Sequence, residues 1–135
     1  MVALLGIILQ VAGWGIFEKT RFEWKYNEEV KVQIETPTFD DDIKKIEGEE
    51  ITLTGYFLPI SFSKRRIILS KLPMASCFFC GGDAGLESVA EIYFAKEQPR
   101  FKRDELLTVR GKLELNDGVD GHLIFIVNNA SLVSR

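Results

Sequence analysis

The chain has 135 residues, of which 46% are hydrophobic, 27% charged and 11% aromatic, a composition that excludes a disordered or fibrous protein. Seventeen Lys and Arg residues against 20 Asp and Glu give a net charge of −3, so a positive field over the whole molecule is absent. The single His excludes most histidine-based catalysis, and one His with two Cys leaves few side chains that could bind a metal ion.

An apolar segment, Val2–Leu9, opens the chain and is followed by the small residues Val11–Gly13. A membrane-spanning helix needs about 20 apolar residues, so this segment predicts no membrane span. It is typical of the apolar region of a secretory signal. We therefore predict a signal peptide over 1–13, an exported protein of the periplasm or envelope, and a single domain over 14–135. A buried N-terminal strand or helix is the alternative.

The next segment has a period of two on both sides of a polar turn, which predicts a β-hairpin over residues 20–35. Pro37 is expected to end it. Phe22 and Trp24 lie on one face, and we expect them to pack the hairpin against the rest of the domain together with Trp14.

A short helix is predicted over residues 39–47. Thr38 has the character of an N-cap, and Asp41, three residues later, would be its reciprocal partner in a capping box. Gly48 follows the last basic turn and is expected to end the helix in the left-handed conformation.

The remainder predicts five strands and no further helix. Their predicted bounds are Glu50–Ile60, Arg65–Leu72, Val89–Ala95, Leu106–Asn116 and His122–Asn128. The first and fourth strands each carry a glycine in mid-strand, Gly55 and Gly111, which suits strands that bend around a small closed barrel. The fold class is therefore all-β: a five-stranded OB-like barrel over 48–130, with the first and fourth strands as neighbours. An open β-sandwich is the rival.

Several segments resemble known proteins. The strands around Gly55 and Gly111 look like those of anticodon-binding-like OB-folds. Gly55–Ile60, Leu69–Pro73, Ser76–Gly82 with its Cys-Phe-Phe-Cys-Gly-Gly box, and Gly111–Asn116 are similar to a family of small exported bacterial proteins of unknown function. The resemblance implies an OB-type fold and export, and it implies no activity.

The Cys77–Gly82 box is the motif with the most candidate chemical roles. Two cysteines separated by two residues and followed by glycines have the form of a metal-binding knuckle, but a structural zinc site needs four ligands. The missing pair could be Cys77 and Cys80 of a second subunit in a homodimer, or His122 with Asp83. The other interpretations are a redox-active thiol pair, a local disulfide or two buried reduced thiols.

We expect Cys77 and Cys80 to lie close together in the loop between the second and third barrel strands. Phe78 or Phe79 should turn into apolar surroundings, because two aromatic side chains are costly to expose.

Basic residues concentrate before the second and fourth barrel strands, near loops that frame the ligand face of OB-folds. The candidate ligand-binding residues are Lys64, Arg65, Arg66, Tyr93, Arg100 and Lys102. Tyr93 offers a stacking surface, but the second strand has no aromatic residue, which makes nucleic acid an unfavoured partner. The acidic residues Glu87, Glu91 and Asp104 show no catalytic spacing.

The sequence favours a non-enzymatic, exported binding module for a protein partner or a small ligand, because no nucleophile–base pair or phosphate loop is present. A thiol oxidoreductase or metal-binding protein that uses Cys77 and Cys80 is the first alternative. A binder of single-stranded nucleic acid is the second.

Overall fold

The computed structural model describes residues 12–60, 63–78 and 84–135. Its strands are β1 Arg21–Asn27, β2 Val32–Thr38, β3 Glu50–Leu58, β4 Arg66–Ser70, β5 Val89–Phe94, β6 Leu106–Leu115 and β7 Phe125–Ser134. Helix α1 is Asp41–Lys45, and short 3₁₀ turns cover Phe17–Lys19, Met74–Ser76 and Leu86–Ser88. The predicted signal segment 1–13 lies mostly outside the described residues.

Strands β3 to β7 form a closed barrel in the order β3-β4-β5-β7-β6. Strand β6 closes it by pairing antiparallel with β3, from Glu50 opposite Lys112 to Tyr56 opposite Leu106. Strands β5 and β7 are parallel. The predicted five-stranded OB-like barrel is confirmed, as is the predicted contact between its first and fourth strands.

The two mid-strand glycines lie where other strands come too close for a side chain. A Cβ atom on Gly55 would lie 2.5 Å from the carbonyl oxygen of Ser70, and one on Gly111 would lie 2.7 Å from that of Asn128. The β6–β7 register shifts between Arg110 and Lys112, so Gly111 lies at an irregularity of the ladder. Both glycines therefore permit the close strand approach of a small barrel.

Alternate residues of the barrel strands fill its interior, as a period of two predicts. One end is closed by residues that precede the barrel in the chain, including Phe17, which stacks on Phe125 at a centroid distance of 3.9 Å, and the buried Ile43 of α1. The other end contains the aromatic residues Phe57 and Phe94, with Phe101 packed against them.

Helix α1 is shorter than the predicted 39–47. Its N-cap is Asp40, whose carboxylate accepts the N–H of Ile43 at 3.0 Å, and the predicted cap at Thr38 was wrong. Thr38 cannot cap the helix because it is the last residue of β2, opposite Arg21. Gly48 takes φ +82°, in the left-handed region expected there.

The last strand starts and ends later than the predicted His122–Asn128. The side-chain amide of Asn116 donates to the carbonyl oxygens of His122 and Leu123 and holds that stretch in a loop. Strand β7 then runs from Phe125 to Ser134, so the barrel extends beyond the predicted end at residue 130.

The hairpin also differs from its prediction. Strand β2 continues past residue 35 and through Pro37, which lies opposite Phe22. Phe22 packs against the barrel core and Trp14 is buried, but Trp24 is 69% exposed, so its expected packing was wrong.

Candidate functional site

The six candidate ligand-binding residues separate into distinct places. Lys64 and Arg100 line a cavity at the Phe57 end of the barrel. Arg66 and Tyr93 instead surround the buried carboxylate of Glu91 on the outer face of β4 and β5. The remaining two, Arg65 and Lys102, are exposed in the loops before β4 and β6 and belong to neither group.

The cavity has a volume of about 880 Å³. Its lining residues come from β3, β4 and the two loops at this end of the barrel: Phe57, Pro59, Ser63, Lys64, Ile67, Glu97, Gln98, Pro99, Arg100 and Phe101. A largely apolar cavity with a few polar groups, at the mouth of a β-barrel, is a common form of small-molecule site.

Aromatic rings form the apolar part of this cavity. Phe57 comes from β3 and is 9% exposed, and the ring of Phe101 lies 5.6 Å from it. The guanidinium of Arg135 lies 5.0 Å from the Phe101 centroid on a cation–π contact. Arg135 also pairs with Glu105 at 2.8 Å, so the loop that carries Phe101 is fixed from its outer side.

The charged residues of the cavity are Lys64, Arg100 and Glu97. Within the described ranges, neither Lys64 nor Arg100 takes part in a salt bridge. The two cations therefore outnumber the one carboxylate and carry charge that a bound anion could neutralise.

The second group of candidate residues surrounds Glu91, which is 1% exposed. One carboxylate oxygen accepts hydrogen bonds from Arg66 Nε at 3.0 Å and from the Tyr93 hydroxyl at 2.8 Å, and lies 3.2 Å from Nδ1 of His122. The other oxygen accepts the main-chain N–H of Leu123 at 2.6 Å.

Burial alone would raise the pKa of Glu91. The Leu123 N–H and the side chains of Arg66, Tyr93 and His122 stabilise its charged form more strongly, so the pKa is held below its usual value. Burial, followed by the hydrogen bond to Glu91, raises the pKa of Tyr93. Because Arg66 pairs with the Glu91 carboxylate, the charge of Arg66 is largely balanced inside the protein.

This cluster joins the β6–β7 loop to the sheet, because Leu123 belongs to that loop and Glu91 to β5. No role for Glu91 was predicted from the sequence. The available signal was a single carboxylate in the otherwise uncharged run Val89–Phe94. His122, which was predicted as a candidate metal ligand, lies beside Glu91 in the structure.

Cys77 lies in the predicted loop, between β4 and β5, and its side chain is fully buried. It packs in a small cluster with Leu58, Ile68 and Val89 on the outside of the barrel. Phe78 is 36% exposed. Cys80, Phe79 and Asp83 lie outside the described residues, so the predicted proximity of the two thiols stays a prediction.

No group of three or more His, Cys, Asp and Glu side chains able to hold a metal ion occurs in the part of the chain that the structure describes. Among those same residues, no helix is long and apolar enough to cross a membrane. Comparisons with protein-family models, curated proteins and solved structures return no match for this chain. The resemblance to small exported bacterial proteins therefore remains a prediction.

Proposed function

We propose that the protein is a non-enzymatic binding module that holds a small organic anion with an apolar body in the cavity at the Phe57 end of the barrel. The observation that carries this proposal is the placement of Lys64 and Arg100 around an aromatic surface formed by Phe57 and Phe101. Such a site would bury the apolar body and place the anionic group near the cations.

The alternative ligand face, on the outside of β4 and β5, is less suited to an anionic ligand. Arg66 is hydrogen-bonded to Glu91, and the Tyr93 hydroxyl is hydrogen-bonded to the same carboxylate. A single-stranded nucleic acid needs free cations beside stacking surfaces. The engagement of these two side chains favours a small ligand over nucleic acid.

The burial of Cys77 argues against a redox-active thiol in the Cys77–Gly82 box. Reactive cysteines are partly exposed thiolates in electropositive surroundings, whereas this thiol lies among Leu58, Ile68 and Val89. A zinc ion shared by Cys77 and Cys80 of two subunits would likewise need this sulfur at a surface.

We also propose that the protein is exported, because its apolar N-terminal segment is typical of a secretory signal. Its test is cell fractionation with an intact-mass measurement of the mature chain. We expect cleavage after residue 13 and recovery from the periplasmic or envelope fraction. A chain recovered whole from the cytoplasm would contradict export without bearing on the cavity.

The ligand proposal is tested with two fluorescent probes of similar shape. Anilinonaphthalene sulfonate carries an anionic group, and N-phenylnaphthylamine lacks it. We expect the sulfonate to bind the wild type, and the double variant Lys64→Gln/Arg100→Gln to bind it at least tenfold more weakly while its affinity for the neutral probe is unchanged.

The matched control is the double variant Arg65→Gln/Lys102→Gln. It removes the same charge from the neighbouring loops without altering the cavity lining. Equal loss of sulfonate binding in both double variants, or no binding by the wild type, would contradict the proposed site.

A further inference from the structure

The β1–β2 hairpin forms a two-stranded sheet of its own, apart from the barrel. It leaves large side chains in solvent: Trp24 is 69% exposed, Tyr26 53% and Val32 54%. A partner strand at the edge of the hairpin would extend its sheet and cover part of this exposed apolar surface.

The two edges of this hairpin are not equivalent. A cavity of about 350 Å³ separates the hairpin from the β6–β7 loop, and the hairpin residues that line it are Val30, Ile34 and Glu35, from β2 and the turn. Strand β2 also contains Pro37, which lacks an N–H and discourages pairing at an edge. Strand β1 has no proline, and in the described ranges it pairs with β2 alone. Among the residues that the structure describes, the β1 edge is therefore the unpaired edge that lacks proline.

The sequence of β1 is complementary to itself in the antiparallel direction. We propose that two copies of this chain associate by pairing their β1 strands antiparallel about Trp24. This register places Phe22 of each copy opposite Tyr26 of the other, and Trp24 opposite Trp24. It also places Glu23 of each copy opposite Lys25 of the other, so opposite charges meet twice in one interface.

The charge pattern of β1 favours a second copy of this chain, paired in this register, as the partner strand. Glu23 and Lys25 lie on the same face, 3.7 Å apart at their charged atoms, with side chains 63% and 55% exposed. A shift that centres the pairing on Glu23 or on Lys25 would bring like charges together, which is unfavourable. When the pairing is centred on Trp24, all seven residues of β1 are paired, and Arg21 lies opposite Asn27.

The proposed pairing runs along the whole of β1. A seven-residue strand is about 24 Å long, and antiparallel pairing places the hairpin base of one copy beside the turn of the other. The product is a four-stranded sheet in the order β2-β1-β1-β2. Its aromatic face carries Phe22, Trp24 and Tyr26 from both copies.

The test uses two single charge reversals and their mixture, followed by sedimentation equilibrium. Glu23→Lys alone gives a strand with two lysines at these positions, and Lys25→Glu alone gives one with two glutamates. We expect each variant alone to self-associate at least tenfold more weakly than the wild type. An equimolar mixture should recover a heterodimer, because each lysine then meets a glutamate of the other chain.

The mixture separates association from folding. Both variants lose the contact between Glu23 and Lys25 within the chain, so only pairing between chains can explain recovery on mixing. Glu28→Lys, in the hairpin turn, changes the charge by the same amount as Glu23→Lys and should leave association unchanged. A wild type that stays monomeric at about 1 mM, or a mixture that stays monomeric, would overturn the proposal.

Discussion

The main-chain N–H of Gln98 donates a hydrogen bond to the carbonyl oxygen of Lys64 at 2.7 Å. This bond joins the loop before β4 to the loop after β5, and these two loops carry the cations of the cavity. Arg135 holds the second loop from outside by a hydrogen bond to the Arg100 carbonyl oxygen. The cavity is therefore formed by fixed main-chain contacts before any ligand enters, which lowers the ordering cost of binding.

The buried carboxylate of Glu91 should be a major contributor to stability. We expect Glu91→Gln to lower the free energy of unfolding by about 2–4 kcal/mol, because it disrupts a buried network and leaves Arg66 without its charged partner. Urea unfolding measures the loss. Glu49→Gln, at an exposed position, is the control and should change stability by less than about 0.5 kcal/mol. Equal effects of the two variants would contradict a stabilising role for Glu91.

The same residue should make stability depend on pH. Its pKa is lower in the folded chain than the ordinary value of 4.5, so the unfolded chain binds more protons as the pH falls. Its contribution is complete above pH 4.5 and is lost as the pH drops through the folded pKa. The stability difference between wild type and Glu91→Gln should therefore shrink on acidification below pH 4.5. A difference that grows there would contradict the charged state assigned to Glu91, which faces Arg66, Tyr93 and His122.

Gly111 should tolerate no side chain. A Cβ at this position would lie 2.7 Å from both the Asn128 carbonyl oxygen and a Val127 methyl carbon. We expect Gly111→Ala to destabilise the chain by about 1–3 kcal/mol, since the strands must move apart. Gly15→Ala is the matched control, because a Cβ there meets nothing within 4 Å. Thermal unfolding compares them, and equal midpoints would show that the strand approach is not restrictive.

Cys77 should behave as a packing residue. Cys77→Ser introduces a hydroxyl among Leu58, Ile68 and Val89, and we expect a cost of about 1–3 kcal/mol for the polar group. Cys77→Ala should cost less, because it leaves only a small cavity. Urea unfolding of the two variants gives the order. Rapid labelling of Cys77 by a thiol reagent in the folded wild type would contradict burial as its role.

Much of the fold follows from local sequence. The period of two and the glycines at positions 55 and 111 predicted the barrel and the pairing of its first and fourth strands, because strand faces and close approaches depend on local residue types. The start of β7 and the cap of α1 were not predictable in this way. They depend on the side-chain amide of Asn116, which binds the carbonyl oxygens of His122 and Leu123 in the same loop, and on the pairing of Thr38 with Arg21.

The candidate site was predictable only in part. Lys64 and Arg100 were identified from their positions in loops at the ends of strands. Which of the basic residues share a cavity depends on the antiparallel pairing of β4 with β5, which brings the loop before β4 next to the loop after β5. Arg66 was predicted to bind a ligand because it also lies near the start of a strand. In the structure it lies opposite Tyr93, and its guanidinium binds the Glu91 carboxylate instead.

Two-dimensional NMR with the sulfonate probe tests whether the cavity at the Phe57 end of the barrel binds an anion. Amide shifts of the ¹⁵N-labelled protein would be followed during titration with anilinonaphthalene sulfonate. We expect the largest shifts to cluster at Ser63, Lys64, Gln98, Arg100 and Phe101, and to disappear in Lys64→Gln/Arg100→Gln. Shifts that centre on Arg66, Tyr93 and His122, or that persist in the double variant, would contradict an anion site at this end of the barrel.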